Sequence, residues 1–357
     1  MAKSNDYEID ILFRGSGNSF VASCELVDPF DQAMQAMAPD LQRFEQALAD
    51  ALAPQAKYLT ATEFGIYQRG KKLRPLLLML SARLLLGDQP LPGKVIKAAA
   101  SLEMLHVASL IHDDIIDNAL LRRGLESVNA SRGVNTAILV GDLQFLQAIR
   151  NFIDAIETDD EMGLVKLVLD SAFNVCTGEL DEISTDPNWS IEQLKKRYME
   201  VIERKTALMF GLACETGQAL AGANSSDARR LGFYGRRIGR AFQIMDDILD
   251  FMQQDKHSGK AVGIDLMQAR MTLPIIYAMQ ALPADHFVCR HMRREQLLEQ
   301  DLSVAQEAIA NTDGLSRAYA DARREALDAL NYLKHFPPSI YRDHLQAIAM
   351  YIVDRPF

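Results

Sequence analysis

From about Pro29 onward the chain places apolar residues three and four positions apart, as in Leu41, Phe44, Leu48 and Leu52, the spacing that lines one face of an α-helix. The pattern is broken only by short segments rich in Gly, Pro, Ser and Asp: GDQPLPG (87–93), ETDDE (157–161), STDPNWS (184–190), GANSSD (222–227), KHSGKAVG (256–263) and HFPPS (335–339). A length of 357 residues would admit two domains, but none of these breaks reads as a linker. The sequence therefore predicts an all-α fold that is helical throughout, with residues 31–357 as one domain. Residues 1–30, with a short alternation (Tyr7, Ile9, Ile11, Phe13) followed by GSGNS, form an extension without assigned structure. There is no fixed-period repeat and no low-complexity tract.

Hydrophobic residues make up 48% of the chain and charged residues 24%, which supplies a large core and excludes a disordered protein. With 38 Lys+Arg against 48 Asp+Glu the net charge is -10, so nucleic acid is not an expected partner. Cys24, Cys176, Cys214 and Cys289 lie far apart without CxxC spacing, which predicts buried thiols in a reducing compartment rather than a zinc site or a disulfide framework. The N-terminal MAKSNDYEID has no apolar stretch, and Ser81 and Arg83 interrupt the run LLLMLSARLLL. No membrane span and a cytoplasmic location are expected.

Two acidic triplets carry the chemistry. SLEMLHVASLIHDDIIDN is apolar almost to its end and then presents Asp113, Asp114 and Asp117. Far downstream GRAFQIMDDILDF presents Asp246, Asp247 and Asp250 at the same DDxxD spacing. On a helix the first and last Asp of each triplet share a face. Like charges at that spacing destabilise a helix by a few tenths of a kcal/mol per pair, so six such residues after apolar faces call for a compensating cation. Oxygen-only ligands indicate a hard ion, and magnesium commonly bridges a few carboxylates to substrate phosphates. Basic residues suited to phosphate accompany the triplets: Lys71, Lys72 and Arg74 in GKKLRP, Arg122 and Arg123 after the first triplet, Lys205 before Thr206, and Lys256 and Lys260 after the second. Lys72 and Lys256 are read as surface charges.

In order and combination, GKKLRP, HVASLIHDDIID with RRG after it, AILVGD, ERKTALMF, GRAFQIMDDILDF and GKAVGIDL followed by MTLP resemble the trans-polyprenyl diphosphate synthase family. With the closing YRDHLQAIAMYIVDR, the resemblance covers about nine-tenths of the chain. It implies an isoprenoid-synthase-type helical bundle around a central cavity, usually homodimeric. Asp113, Asp117 and Asp246 would coordinate three Mg2+ ions on an allylic diphosphate, with Asp114, Asp247 and Asp250 contributing directly or through water. Arg122, Lys205 and Lys260 would clamp that diphosphate, and Lys71, Arg74, His106 and Arg123 would receive isopentenyl diphosphate. Thr206 and Gln243 would turn oxygen dipoles toward an allylic carbocation, while His112 stays structural.

The same resemblance makes the residues one turn before the first triplet a gauge of product length. Ala108 and Ser109 are small, and Phe145 is a candidate floor. One turn rises about 5.4 Å, room for roughly one more isoprene unit, so the expected product has more than fifteen carbons, between about twenty and forty. The chain departs from the family pattern in LRRGLESVNASRG, in Arg270 where a Lys is common, and in VGDLQFLQA. Two other readings stay open: a class I terpene cyclase, which also ionises a diphosphate at DDxxD, and a non-catalytic subunit of a heteromeric synthase. The first normally has a mixed second motif, and the second tends to lose aspartates.

Overall fold

In the computed structural model, which describes residues 28–252, 263–295 and 302–354, the apolar stripes become helices joined by short turns. The chain begins with α1 (Pro29–Ala36), α2 (Ala38–Leu52), α3 (Ala61–Gln68) and α4 (Leu73–Leu86), followed by the long α5 (Gly93–Ile116). A hairpin of two-residue strands, β1 (Leu121–Arg122) and β2 (Leu125–Glu126), leads into α6 (Val128–Arg132), α7 (Val134–Ile153), α8 (Met162–Ile183), α9 (Ile191–Ile202) and α10 (Leu208–Leu220). Then come α11 (Ser225–Met252), α12 (Ile264–Met267), α13 (Leu273–Ala281), α14 (Phe287–Met292), α15 (Leu302–Ala310), α16 (Gly314–Leu333) and α17 (Ile340–Asp354).

The breaks at 87–93, 157–161, 184–190, 222–227 and 335–339 all fall at helix junctions. At the first of them Gly87 sits at φ +60, a conformation that costs glycine little, and its N–H closes α4 on the Arg83 carbonyl. The expectation of a wholly helical body needs one correction. The segment after α5 forms the hairpin, in antiparallel register Leu121↔Glu126 and Arg122↔Leu125, where Arg123 (φ +53) and Gly124 (φ +72) make the reversal. The boundary drawn before residue 31 falls inside α1, which starts at Pro29 where Asp28 caps the Phe30 N–H at 2.8 Å. The alternating stretch Tyr7–Phe13, Cys24, Lys256 and Lys260 lie outside the described residues.

Helix α5 is the centre of the molecule, packed against α2, α4, α7 and α10. Leu102, Met104, Leu105, Val107 and Ile111 are all buried, and each such side chain contributes about 1.5–3 kcal/mol of transfer free energy. Among the described residues α5 is also the one helix long and apolar enough to cross a membrane, yet 72% of its apolar window is covered by the rest of the protein, as in a core helix. Helix α10 joins α4 to α11, and α11 lies against α16 and α17. A smaller apolar cluster, including Leu266, Ile275, Val288, Met292 and Ile309, ties α12, α13, α14 and α15 together. Cys214 and Cys289 are buried as expected, but Cys176 is exposed, because it lies on a face of α8 that no described element covers.

Candidate active site

A cavity of about 980 Å3 lies among α5, the hairpin segment, α8, α9, α10, α11 and residues 265–272. It brings both acidic motifs to one space: Asp113 and Asp117 from the end of α5, Asp246 and Asp247 from α11. α5 ends at Asp117, whose N–H returns to the Asp113 carbonyl at 2.8 Å, so the two carboxylates sit at a helix C-terminus, where the macrodipole disfavours negative charge. Burial pushes the Asp113 carboxyl up to about 7, with Glu179 and Asp117 adding to the rise and Lys205 opposing it.

The middle and last acids of the motifs are placed differently. Asp114 is 1% exposed and does not line the cavity; its Oδ1 accepts from Arg122 Nε at 2.8 Å and from Nη2. Asp250 is likewise not on the wall, and its Oδ2 accepts the Asp265 N–H at 3.2 Å. Asp247 reaches the wall but is held from two sides, by the Tyr198 hydroxyl (2.6 Å) and by Gln243 Nε2 (2.9 Å). Burial, then the nearby Asp265, raises its carboxyl well above the usual range. Thr206 donates its hydroxyl to Gln243 Oε1 at 2.7 Å, so Thr206, Gln243, Asp247 and Tyr198 form one chain of hydrogen bonds.

The cations converge on the same space. Lys71, Arg74, His106, Arg122, Arg123 and Lys205 all line it. Arg74 is lowered to about 10 by burial but stays charged at neutral pH, and its guanidinium lies 4.8 Å from the Phe210 ring centroid. Arg123 is anchored by donating to the Ile66 carbonyl at 2.6 Å. Gly70 leaves it room, since a Cβ there would fall 2.4 Å from its Nη1. His106 is held neutral, its pKa pushed well below 6.5 by burial and by Arg74, Arg123, Arg122 and Lys72 around it. Lys205 pairs with Glu179 and Glu182 of α8, which keep it protonated against the effect of burial. Lys72, read from sequence as a surface charge, is corrected: it is 6% exposed, bonds the Tyr67 carbonyl and pairs with buried Glu103 at 3.1 Å. An ammonium that deep is stable only because of that partner.

Of the residues expected to gauge product length, Ser109 lines the cavity and Ala108 does not. Successive helical residues point about 100° apart, and Ala108 is fully buried on the other side. Below the cavity a second pocket of about 30 Å3 shares Arg74, His106, Ser109, Val175 and Lys205 with it and is completed by Leu105, Phe145, Ala172 and Met209. His112 bridges to α7, 3.4 Å from the Ile138 carbonyl and 3.4 Å from Asp142, consistent with its structural assignment.

Several cavity residues escaped the sequence reading. Glu179 and Glu182 are one turn apart on α8. Asp265, outside both triplets, is pushed up to about 7 by burial and by Asp250. Arg270, noted only as a departure, ion-pairs with Asp117 at one end and approaches Asp265 at 3.9 Å at the other. The acid pair at i, i+3 was the one signal available; the partners of Arg270 are 153 positions away in the first case and carry none.

Among the described residues no group of three or more His, Cys, Asp or Glu side chains is gathered closely enough to hold an ion unaided. The donor set nevertheless fits a hard divalent cation. Carboxylate oxygens come from two helices, and Asp113 is buried beside like charges that a cation would relieve. An ion bound by so few protein oxygens needs further oxygens from its ligand, as magnesium takes from phosphates.

Known proteins place this architecture. The family model described as Polyprenyl synthetase matches residues 55–309. The chain is 31% identical to heptaprenyl diphosphate synthase component 2 of Geobacillus stearothermophilus over 90% of its own length and 97% of that protein's. It is 32% identical to nonaprenyl diphosphate synthase of Mycobacterium tuberculosis, over 94% and 97% of the two chains. The crystal structure of a polyprenyl synthase from Caulobacter crescentus, complexed with calcium and isoprenyl diphosphate, superposes with a TM-score of 0.80 at 27% identity, covering 91% of this chain and 98% of that one. The fold is the all-α isoprenoid synthase bundle, and the chain belongs to the polyprenyl synthetase family.

Proposed function

We propose that the protein is a prenyltransferase that condenses isopentenyl diphosphate with an allylic diphosphate to give a longer all-trans polyprenyl diphosphate, with Mg2+ as the expected cofactor and three ions the expected number. The observation that carries this reading is the meeting of Asp113, Asp117, Asp246 and six basic or imidazole side chains on one cavity. Magnesium, when bound, supplies Lewis-acid stabilisation of the departing diphosphate, and Asp113, Asp117 and Asp246 are the residues that would hold it. Lys205 and Arg122 neutralise charge on the same leaving group, each aimed by carboxylates beside it; Lys260 would join them. Lys71, Arg74 and Arg123 hold the second diphosphate, and neutral His106 contributes polarity without adding charge. The carbonyl oxygen of Gln243 and the hydroxyl of Thr206 face the site of the allylic cation. The isopentenyl double bond attacks that cation, and a proton lost to the departed diphosphate completes a chain five carbons longer.

The two sets of cations favour a synthase with two diphosphate substrates over a cyclase with one. Retention of all six aspartates argues against a non-catalytic subunit. A product of about twenty to forty carbons remains the reading that small Ser109 on the wall supports; the pocket beneath it, about 30 Å3, would have to widen to take a prenyl tail. A single domain, its start moved back to Pro29 where α1 begins, and a cytoplasmic location belong to the same reading. A homodimer goes with it. Leu139 and Leu146 on α7, and Phe173 and Leu180 on α8, are 65–69% exposed, and each pair is two turns apart on one face, a stripe of the kind that monomers rarely expose and a second subunit covers. The relatives named as component 2 make a different subunit the other candidate for that stripe.

The test is incubation of purified protein with magnesium, isopentenyl diphosphate and allylic primers of several lengths. Elongated products support the synthase. A hydrocarbon or alcohol formed from primer alone supports the cyclase, and silence supports the subunit.

A further inference from the structure

The turn that carries Lys205 and Thr206 is not α-helical. Over Glu203–Ala207 the backbone is a π-turn, in which the Leu208 N–H donates to the Glu203 carbonyl five residues back. One additional residue in a turn rotates the following side chains by about 100°, and here both Lys205 and Thr206 enter the cavity. Such turns are rare and need support from their surroundings.

Two helices supply that support. On one side α8 approaches closely at Gly178, where a Cβ would lie 2.8 Å from Arg204 Cβ and 3.2 Å from the Lys205 backbone nitrogen, and Arg204 pairs with Asp181. On the other side α11 approaches at Gly239, where a Cβ would lie 2.7 Å from Ala207 Cα. Beside this contact Arg236 and Arg240, one turn apart on α11, both reach the Glu203 carboxylate: Arg236 Nη2 to Oε1 at 2.5 Å and Arg240 Nε to Oε2 at 3.2 Å. Arg240 is braced in turn by Glu325 of α16 at 3.5 Å, which Arg237 holds at 2.9 Å. Exposed ion pairs contribute little singly. This carboxylate differs in that two guanidinium groups converge on it at the residue where the helix leaves α geometry.

We propose that Glu203 is a positioning residue: clamped by Arg236 and Arg240, it holds the π-turn so that Lys205 faces the bound diphosphate while Thr206 stays bonded to Gln243, and it ties that turn to the helix bearing Asp246. None of Glu203, Arg236 and Arg240 lines the cavity, so the clamp acts through Lys205 and Thr206 and not on the ligand. The identity of the ligand rests on the proposed function; the hold on the turn does not.

Full-length Glu203→Gln, Lys205→Ala and the double variant separate positioning from stability. Binding of inorganic pyrophosphate with magnesium is measured by calorimetry, and hydrogen exchange is followed in the segment 203–210. Glu203→Gln should weaken pyrophosphate about tenfold, the scale of one charge-assisted contact, and should add nothing to Lys205→Ala, since both losses pass through the same ammonium. Equal losses in the two backgrounds, or no loss in either, overturn the proposal. Exchange in 203–210 should quicken about tenfold in Glu203→Gln while the 93–116 helix is unchanged; unaltered exchange overturns it as well. A wild-type protein that neither binds pyrophosphate nor elongates a primer would refute the proposed function, and the exchange experiment would still decide the clamp.

Discussion

Ser109→Phe should shorten the product. Ser109 lies on the boundary between the 980 Å3 cavity and the 30 Å3 pocket under it and is part of both walls. The lower pocket holds only about 30 Å3, so a side chain as large as Phe at position 109 fills it and keeps a tail from widening it. Overpacking costs about 1–3 kcal/mol against a domain stability of about 5–15 kcal/mol, so the variant remains folded. Each helical turn denied to the tail is about 5.4 Å, roughly one isoprene unit. Chromatography of products made from labelled isopentenyl diphosphate should show the dominant chain shortened by at least one unit, with turnover of the shortest primer retained. An unchanged product distribution would show that the tail does not pass Ser109, and the assignment of the lower pocket would fail.

Two further results are expected. Asp113→Ala and Asp246→Ala should each lower turnover by about a thousandfold or more, the loss of some 4 kcal/mol of transition-state stabilisation, while circular dichroism and melting stay near wild type; wild-type rates in either would remove that carboxylate from the mechanism. His106 is neutral in the folded protein, its pKa below the unfolded value of 6.5, so the stability it lends is present above that value and lost as pH falls below it, by at most about 1.4 kcal/mol per pH unit. Urea midpoints measured without metal between pH 7.5 and 5.5 should therefore fall less in His106→Gln than in wild type, and equal falls would place the His106 proton elsewhere.

What could be read from the sequence was local. Helical spacing put Asp113 and Asp117 on one face, and Gly, Pro and Ser clusters marked the helix ends, because both signals lie within a few residues of one another. Ala108 and Ser109 look equivalent in sequence because sequence does not give the rotation of α5 against its neighbours, and in the structure Ala108 faces away from the cavity. The hairpin at 121–126 was invisible, since two-residue strands have no periodicity. The burial of Lys72 leaves no mark in the sequence because its partner Glu103 belongs to a different helix. The same holds for Arg270 and Asp117, and for Glu203 with its two arginines: distant charges meet only when helices pack.

The most direct measurement is a crystal structure of the protein grown with magnesium and pyrophosphate. The account predicts ions that touch Asp113 and Asp117 on one side and Asp246 on the other, with pyrophosphate between them against Lys205. Ions confined to one aspartate motif, or pyrophosphate bound away from both, would contradict it.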